Sequence, residues 1–262
     1  MEKEGDIFYF NLKTILIRWL FLILFMYKSY QGAKKRRVFI EMAIKLLLIR
    51  HGESYSNVQK KFSGFQDVDL TKKGIWQAER LAYRLKKVPV DAVYCSDLKR
   101  AIHTADIVFG NRDLDMLINP NLREMNFGIW EGMTFEEIKL KEGAKFTSWM
   151  ENPDEKSIIP QGESLAILNE RVMTEVNRIL QEHKNEDKDK NIAIVCHGGA
   201  IRIILCNALN LELKNLWYIK QKSTALNIID YYDNRGFISL LNDTSHLENW
   251  WESGLIQEKR DE

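Results

Sequence analysis

The chain has 262 residues, enough for one or two domains with a sizeable core. Lys and Arg number 38 against 37 Asp and Glu, so the balance calls for neither a nucleic-acid nor an acidic-surface partner. An apolar content of 45% suits a soluble globular protein rather than a disordered or fibrous one.

The first 41 residues are unlike the rest. WLFLILFMY, residues 19–27, is apolar, but Asn11, Lys13 and Arg18 interrupt the stretch before it. A spanning helix needs about 20 mostly apolar residues, and this run falls well short. The acidic start MEKEGD, with no small-residue cleavage site after the run, makes a poor secretory signal. Lys34, Lys35, Arg36 and Arg37 would hold the C-terminal side in the cytoplasm were the run to insert. The expectation is an upstream extension over residues 1–41, with any membrane contact confined to residues 7–30, and a domain that starts at Met42.

From Met42 onward, strands and helices alternate. AIKLLLI, 43–49, is the continuous apolar run of a strand buried on both faces. Thr71 stands where an N-cap belongs, and Ile75, Ala78, Leu81, Ala82 and Leu85 then form one helical face over 72–86, before Pro89 breaks it. VDAVYCS, 90–96, reads as a second strand and 97–109 as a helix. A long amphipathic helix is expected over 162–180, then a charged surface loop over 183–190. NIAIVC, 191–196, is a third buried strand and 199–207 a helix. TALNIIDYY and GFISLLN form a hairpin turning near Asp233–Gly236. This predicts one α/β domain over 42–262: three layers, a mostly parallel central sheet with helices on both faces, and a C-terminal hairpin and tail. Cys95, Cys196 and Cys206 lie in apolar stretches without a CxxC pair, and read as buried thiols in a reducing cytosol.

Each of the three parallel strands runs into polar residues of similar chemistry: Arg50-His51-Gly52, then Ser96 to Arg100, then His197-Gly198-Gly199. Ligands of open α/β sheets bind outside the carboxyl ends of the strands. Two guanidinium forks and the N–H groups of a helix start would therefore meet there as an anion site, most simply for a phosphate. A neutral imidazole is a competent nucleophile towards phosphorus. Gly52, Gly198 and Gly199 would remove side chains where a ligand approaches. A leaving alkoxide needs a proton, for which Glu124 in NLREMNFGIWEG is the candidate. A carboxyl beside a dianionic phosphate is driven to keep its proton. Glu131, in the same loop, is a rival. No Asp/His cluster with metal-ligand spacing and no GxxxxGK[ST] loop occurs, so neither a metal nor a nucleotide cofactor is called for.

RHGESYSN, FSGFQDVDLTKKG, SDLKRAIHTA, LREMNFGIWEG, PQGES and VCHGG follow one another in an order that resembles the histidine phosphatase superfamily, also called phosphoglycerate mutase-like. The likeness covers about residues 42–242. It implies that His51 is the nucleophile that becomes phosphohistidine. By the same likeness Arg50, Arg100, His197, Gly198 and Asn57 bind the phosphoryl group, Glu124 donates the proton, and Ser63 and Gly64 lie on the substrate side. It implies a small-molecule phosphomonoester as substrate, and no cofactor or metal. FGIWEGMTFEEI, residues 127–138, looks like the phosphatase branch, and PQGES and NDTSHL lean towards the group similar to α-ribazole and broad-specificity phosphatases. Mutases of the family carry a longer, Pro-rich insertion before the second histidine, and this chain has only four prolines. Mutase-type transfer and an inactive phospho-ligand-binding module are the alternatives.

One other motif competes. Cys196 and Arg202 have the C-x5-R spacing of cysteine-dependent phosphatases. Side chains alternate along a strand, however, so Cys196 and His197 point to opposite faces and RHGESYSN is left without a role. His103 reads as structural. His183 and His246, in a loop and in the tail, have no evident partner.

Overall fold

The computed structural model describes residues 44–184, 188–232 and 235–248. The extension over 1–41 falls outside them.

Strand β1 (Ile44–Arg50) is followed by a one-turn helix α1 (Tyr55–Val58) and by α2 (Lys72–Leu85), whose N-cap Thr71 accepts the Gly74 N–H. Next come β2 (Ala92–Cys95), α3 (Lys99–Phe109) and the short strand β3 (Met116–Ile118). The segment that carries Glu124 runs between two 3-10 turns, Pro120–Leu122 and Gly128–Trp130. Two short helices follow, α4 (Phe135–Glu142) and α5 (Ala144–Glu151), then α6 (Leu165–His183). Strand β4 (Lys190–Cys196) leads into α7 (Gly198–Ala208), and a 3-10 turn (Leu213–Tyr218) precedes the hairpin of β5 (Leu226–Tyr232) and β6 (Arg235–Asp243).

Among the described residues the sheet has six strands in the order β3-β2-β4-β1-β5-β6. The first four are parallel and the hairpin adds two antiparallel strands. Alternation divides the strand residues between two cores. Leu46, Leu48, Tyr94, Ile192, Ile194 and Cys196 pack under α6 and α7. Leu47, Ile49, Val93, Cys95, Ala193 and Val195 pack under α2 and α3. Both faces are covered, which is why these strands read as unbroken apolar runs. The register pairs Arg50 with Cys196 and Cys95 with Val195, so the three strands end level and release their polar residues at one edge.

Several boundaries depart from expectation. Helix α3 begins at Lys99, not 97, because Asp97 turns aside to accept from Nε and Nη2 of Arg123. Helix α6 begins at Leu165, not 162. Gly162 packs on the backbone of Gly128, and Ser164 caps the helix. The charged stretch over 183–190 is not all loop: His183 closes α6 and Lys190 opens β4, while residues 185–187 lie outside the described set. The hairpin strands stand as expected, but 233 and 234 of the expected turn also lie outside it. Strand β3 and helices α4 and α5 were not anticipated. A capping box between Thr134 and Glu137 starts α4, and Phe146 and Trp149 of α5 pack edge-on against Trp130. Among the described residues no helix is long and apolar enough to cross a membrane. The three thiols are free and buried.

Candidate active site

His51 leaves β1 with its N–H on the Cys196 carbonyl and its own carbonyl accepting from Thr224 N–H. Its ring is buried, and Nδ1 lies 2.7 Å from the Gly52 carbonyl oxygen. A carbonyl only accepts, so Nδ1 carries the hydrogen and Nε2 presents the lone pair. Burial, reinforced by Arg100 and Arg50, pushes the pKa of His51 well below the ordinary histidine value. The ring is therefore neutral, as a nucleophile must be.

His197 caps α7 with an extended backbone, and its ring centroid is 5.1 Å from that of His51. Its hydrogen sits on the other nitrogen. Arg100 Nε donates to Nδ1 at 3.3 Å, so Nε2 carries the hydrogen and donates to Ser96 Oγ at 2.8 Å. Burial again dominates, with Arg100 next, and holds this ring neutral too. Both nitrogens of His197 are thus engaged with protein groups. Ser96, fully buried, opens the polar run expected after β2, but nothing in the sequence signalled that it would hold His197.

Arg100 is wholly buried. Its fork holds a loop rather than standing open: Nη1 donates to Gln66 O and Nη2 to Gly64 O, each at 2.7 Å. The loop adopts a positive φ at Gly64 (+42°) and is fastened from its other side by Glu131, whose oxygens accept from Phe65 and Gln66 N–H. Glu131 is thereby a loop anchor. Ser63 accepts the Gln66 N–H through its carbonyl. The Asn57 side-chain oxygen completes a capping box with Ser54, which leaves its amide NH2 as the group to meet an anion.

Arg50 donates from Nη1 to the Gln221 carbonyl, while its Nε is sealed from solvent with no acceptor. Burial, the largest cause, brings its pKa down to about 10. Glu124 lies across the start of α7: Gly199 N–H reaches both carboxylate oxygens (2.9 and 3.1 Å), and Met125 N–H reaches Oε1 (2.8 Å). Negative charge at this eleven-residue helix's N-terminus is favoured by its dipole. The backbone carbonyl of Glu124 is held by Arg171 Nη2 at 2.7 Å. Arg171 also takes Glu163 with two nitrogens, and Glu163 accepts the Asn126 N–H. This pair fixes the acid-bearing loop, and its signal was the Glu of PQGES.

The glycines divide by role. A Cβ on Gly199 would stand 2.1 Å from Glu124 Oε1, and one on Gly198 would stand within 4 Å of Arg202, Arg50 and Glu124. Gly52 is different from expectation. Its missing Cβ makes room for the Gly74 carbonyl of α2, 2.5 Å away, not for a ligand. The competing cysteine fails on placement: Cys196 is fully buried in the core under α6 and α7, and burial pushes its thiol up to about 12. His103 pairs with Asp69 at the surface. His183 and His246 do have partners, the Tyr94 hydroxyl for the first, Thr224 and Arg84 for the second. Among the described residues no three His, Cys, Asp or Glu side chains are grouped to hold a metal ion.

A buried neutral imidazole with a free Nε2, a second imidazole, two guanidinium groups and a carboxylate at a helix start, all at the carboxyl edge of a mostly parallel sheet, make an arrangement suited to phosphoryl transfer. The family model of the histidine phosphatase superfamily (branch 1) matches residues 46–244, and the chain belongs to that superfamily. Phosphoserine phosphatase 1 of Hydrogenobacter thermophilus is 31% identical over 208 residues, 79% of this chain and 96% of that protein. Adenosylcobalamin/alpha-ribazole phosphatase of Salmonella typhimurium is 31% identical over 201 residues, covering 76% and 96%. Among solved structures, Bacillus stearothermophilus YhfR superposes with a TM-score of 0.72 at 32% identity, covering 78% of this chain and all of that one.

Proposed function

We propose that the chain is a phosphomonoesterase of the histidine acid-phosphatase type, acting on a small phosphorylated metabolite through a phosphohistidine at His51. The observation that carries this is the tautomer of His51, whose Nε2 lone pair is left free beside two arginines by the Nδ1–H bond to Gly52. In the first step Nε2 attacks phosphorus and the P–O ester bond breaks. Its electron pair leaves with the alcohol oxygen, which takes a proton from Glu124. In the second, water attacks phosphorus and the P–N bond breaks, its electron pair returning to His51 Nε2; Glu124 takes a proton from the water, and inorganic phosphate leaves. Arg50 and Arg100 supply positive charge around the phosphoryl oxygens, and the N-terminus of α7 with Gly198 N–H adds to it. His197 bounds the pocket, Asn57 contributes its amide NH2, and Ser63 and Gly64 form the substrate-side loop. Depressed pKa values at both histidines keep His51 unprotonated in mild acid, which supports the acid-type assignment.

The domain in this reading spans 42–262, with 1–41 as an extension, and the family match over 46–244 supports that boundary. Free buried thiols support a cytosolic location. The named activities of the two relatives, on phosphoserine and α-ribazole phosphate, support a small ester as substrate.

His51→Ala tests the mechanism. Phosphomonoester hydrolysis without a catalyst is slow enough that the site must supply on the order of 20 kcal/mol, so losing the covalent route costs several orders of magnitude. Turnover should vanish at unchanged Tm, and acid-labile phosphate trapped on the wild type should be missing from the variant. A variant that keeps a tenth of wild-type kcat overturns the mechanism. Isomerisation of 3-phosphoglycerate without release of phosphate would point to mutase-type transfer.

A further inference from the structure

The apolar start of β5 is interrupted by an amide. Asn227 stands between Leu226 and Ile228 and is fully buried, and Gln221, in the segment before β5, is buried as well. A buried amide without partners is costly, and these two satisfy each other. Gln221 Nε2 donates to Asn227 Oδ1, and Asn227 Nδ2 donates to Gln221 Oε1, each at 2.9 Å. Backbone groups decide which way round the pair lies. The Asn242 N–H of β6 can only donate, and it meets Asn227 Oδ1 at 2.7 Å; the Leu48 carbonyl of β1 can only accept, and it takes Asn227 Nδ2 at 3.3 Å. Asn227 is thereby locked to the strands on both sides of its own.

The far end of this lock is Arg50. The backbone carbonyl of Gln221 accepts from Arg50 Nη1 at 2.5 Å. The residues after it hold the backbone at the same strand end: Ala225 O accepts the Arg50 N–H, and Thr224 N–H donates to His51 O. Lys222 N–H donates to Asn242 Oδ1, so segment 221–225 is tied to the hairpin at a second point. Gln221 itself lies outside any strand, between the 3-10 turn that ends at Tyr218 and β5, so no ladder holds its carbonyl; the amide pair does. An arginine side chain has many rotamers, and a transition state gains most from charge that is already in place.

We infer that Asn227 and Gln221 are positioning residues: their amide pair sets the Gln221 carbonyl that aims the Arg50 guanidinium at the transferred phosphoryl group. They act through Arg50 and not on the substrate. The inference rests on the phosphomonoesterase reading for its effect on turnover, but the order of Arg50 and the binding of inorganic phosphate can be measured without any reaction.

The experiment uses the full chain. Asn227→Leu would strip the hairpin of its bonds to both neighbours, so Gln221→Met is the variant of choice. It keeps the backbone carbonyl and much of the side-chain volume, and it leaves Asn227 its bonds to Leu48 and Asn242. It should lose about 10- to 100-fold in kcat/KM, the size expected when a group of the site is misplaced by about 1 Å. The loss should be equal on an alkyl and a nitrophenyl phosphate, because Arg50 faces the transferred group and not the leaving oxygen. In an Arg50→Ala background the same change should cost no more than about twofold, since the group it aims is gone. Proton–nitrogen NMR reads Arg50 directly. The wild-type Nε–H, sealed from solvent and identified by its absence from Arg50→Ala, should give a slowly exchanging signal that broadens in Gln221→Met. Calorimetry should show inorganic phosphate binding more weakly to Gln221→Met than to wild type. An unchanged Nε–H signal, or wild-type turnover in Gln221→Met, overturns the inference. So do losses that multiply between Gln221→Met and Arg50→Ala, which would make the pair a support for the hairpin alone. Should no phosphate ester be turned over, the phosphomonoesterase reading falls, and the Nε–H signal with phosphate binding still decides what the pair does.

Discussion

His51 and His197 are the same residue in opposite tautomers. The Gly52 carbonyl takes the hydrogen of one ring at Nδ1, whereas Arg100 presses a donor on Nδ1 of the other and sends its hydrogen to Ser96. Only His51 therefore keeps a free lone pair on Nε2. The two carboxylates divide in the same manner. Glu124 is held against the start of α7 by Gly199 and Met125, and Glu131 is fastened to the 65–66 loop. The proton donor should show itself through the leaving group. An alkyl phosphate releases a basic alkoxide, and a nitrophenyl phosphate releases a stabilised phenolate that needs no proton. Glu124→Gln should lose about 10²- to 10⁴-fold in kcat on the alkyl ester and far less on the aryl one. Glu131→Gln should show no such split, only a fall common to both. Steady-state kinetics on the two esters check this, and a split at Glu131 would move the donor to that residue.

At the scale of elements, the site depends on how the acid-bearing segment is joined to the start of α6. Gly128 has φ +50°, and a Cβ there would meet Pro160 O at 2.1 Å and Gly162 N at 2.5 Å. Both are backbone atoms that cannot swing aside. The Glu163–Arg171 pair at the same junction, its carboxylate buried, then ties Asn126 and the Glu124 carbonyl to α6. Gly128→Ala brings both a left-handed backbone and a collision, so a loss of roughly 2–4 kcal/mol is expected. That corresponds to a fall in Tm on the order of 10 °C for a domain of this size. Because the segment also carries Glu124, kcat on an alkyl ester should drop while the domain remains folded. Calorimetry and kinetics on one preparation test both. An alanine variant with wild-type Tm would mean that the two backbones part easily.

Across the whole molecule, the tail after β6 is pinned by a histidine. His246 gives its Nε2 hydrogen to Thr224 and accepts from Arg84 of α2 at Nδ1, next to Asp243, which is itself paired with Arg84. Burial, then Arg84, brings the pKa of His246 down to about 4. Its unfolded value is about 6.5, so the unfolded chain binds the proton first. The stabilisation is complete above about pH 6.5 and is lost as pH falls through 4; a shift of this size is worth roughly 3 kcal/mol. His51 and His197, also depressed, act in the same direction. Tm should therefore decline between pH 7 and 4.5, and His246→Gln should flatten that decline. Melting curves across this range check the sign. A variant that declines as steeply as wild type would show that His246 titrates as a free residue.

What the sequence determined by itself was the sheet's carboxyl edge and the residues that arrive there with the strands. Strands buried on both faces must be unbroken apolar runs, and Arg50, His51 and His197 follow theirs directly, so both fold and site were legible in short local patterns. Tertiary structure decided everything that joins residues far apart in sequence. Arg100 holds the carbonyls of Gly64 and Gln66, Ser96 orients His197, and Arg202 reaches the point above Gly198; none of these pairings has a local signature. Gly52 owes its lack of a side chain to Gly74, which only the packing of α2 brings near. Helices α4 and α5 are weakly amphipathic and are held by an aromatic cluster around Trp130. Periodicity reports which face of an element is buried; it does not report what that face meets. The partners are set by strand order and register, and these were decided by the assembled sheet.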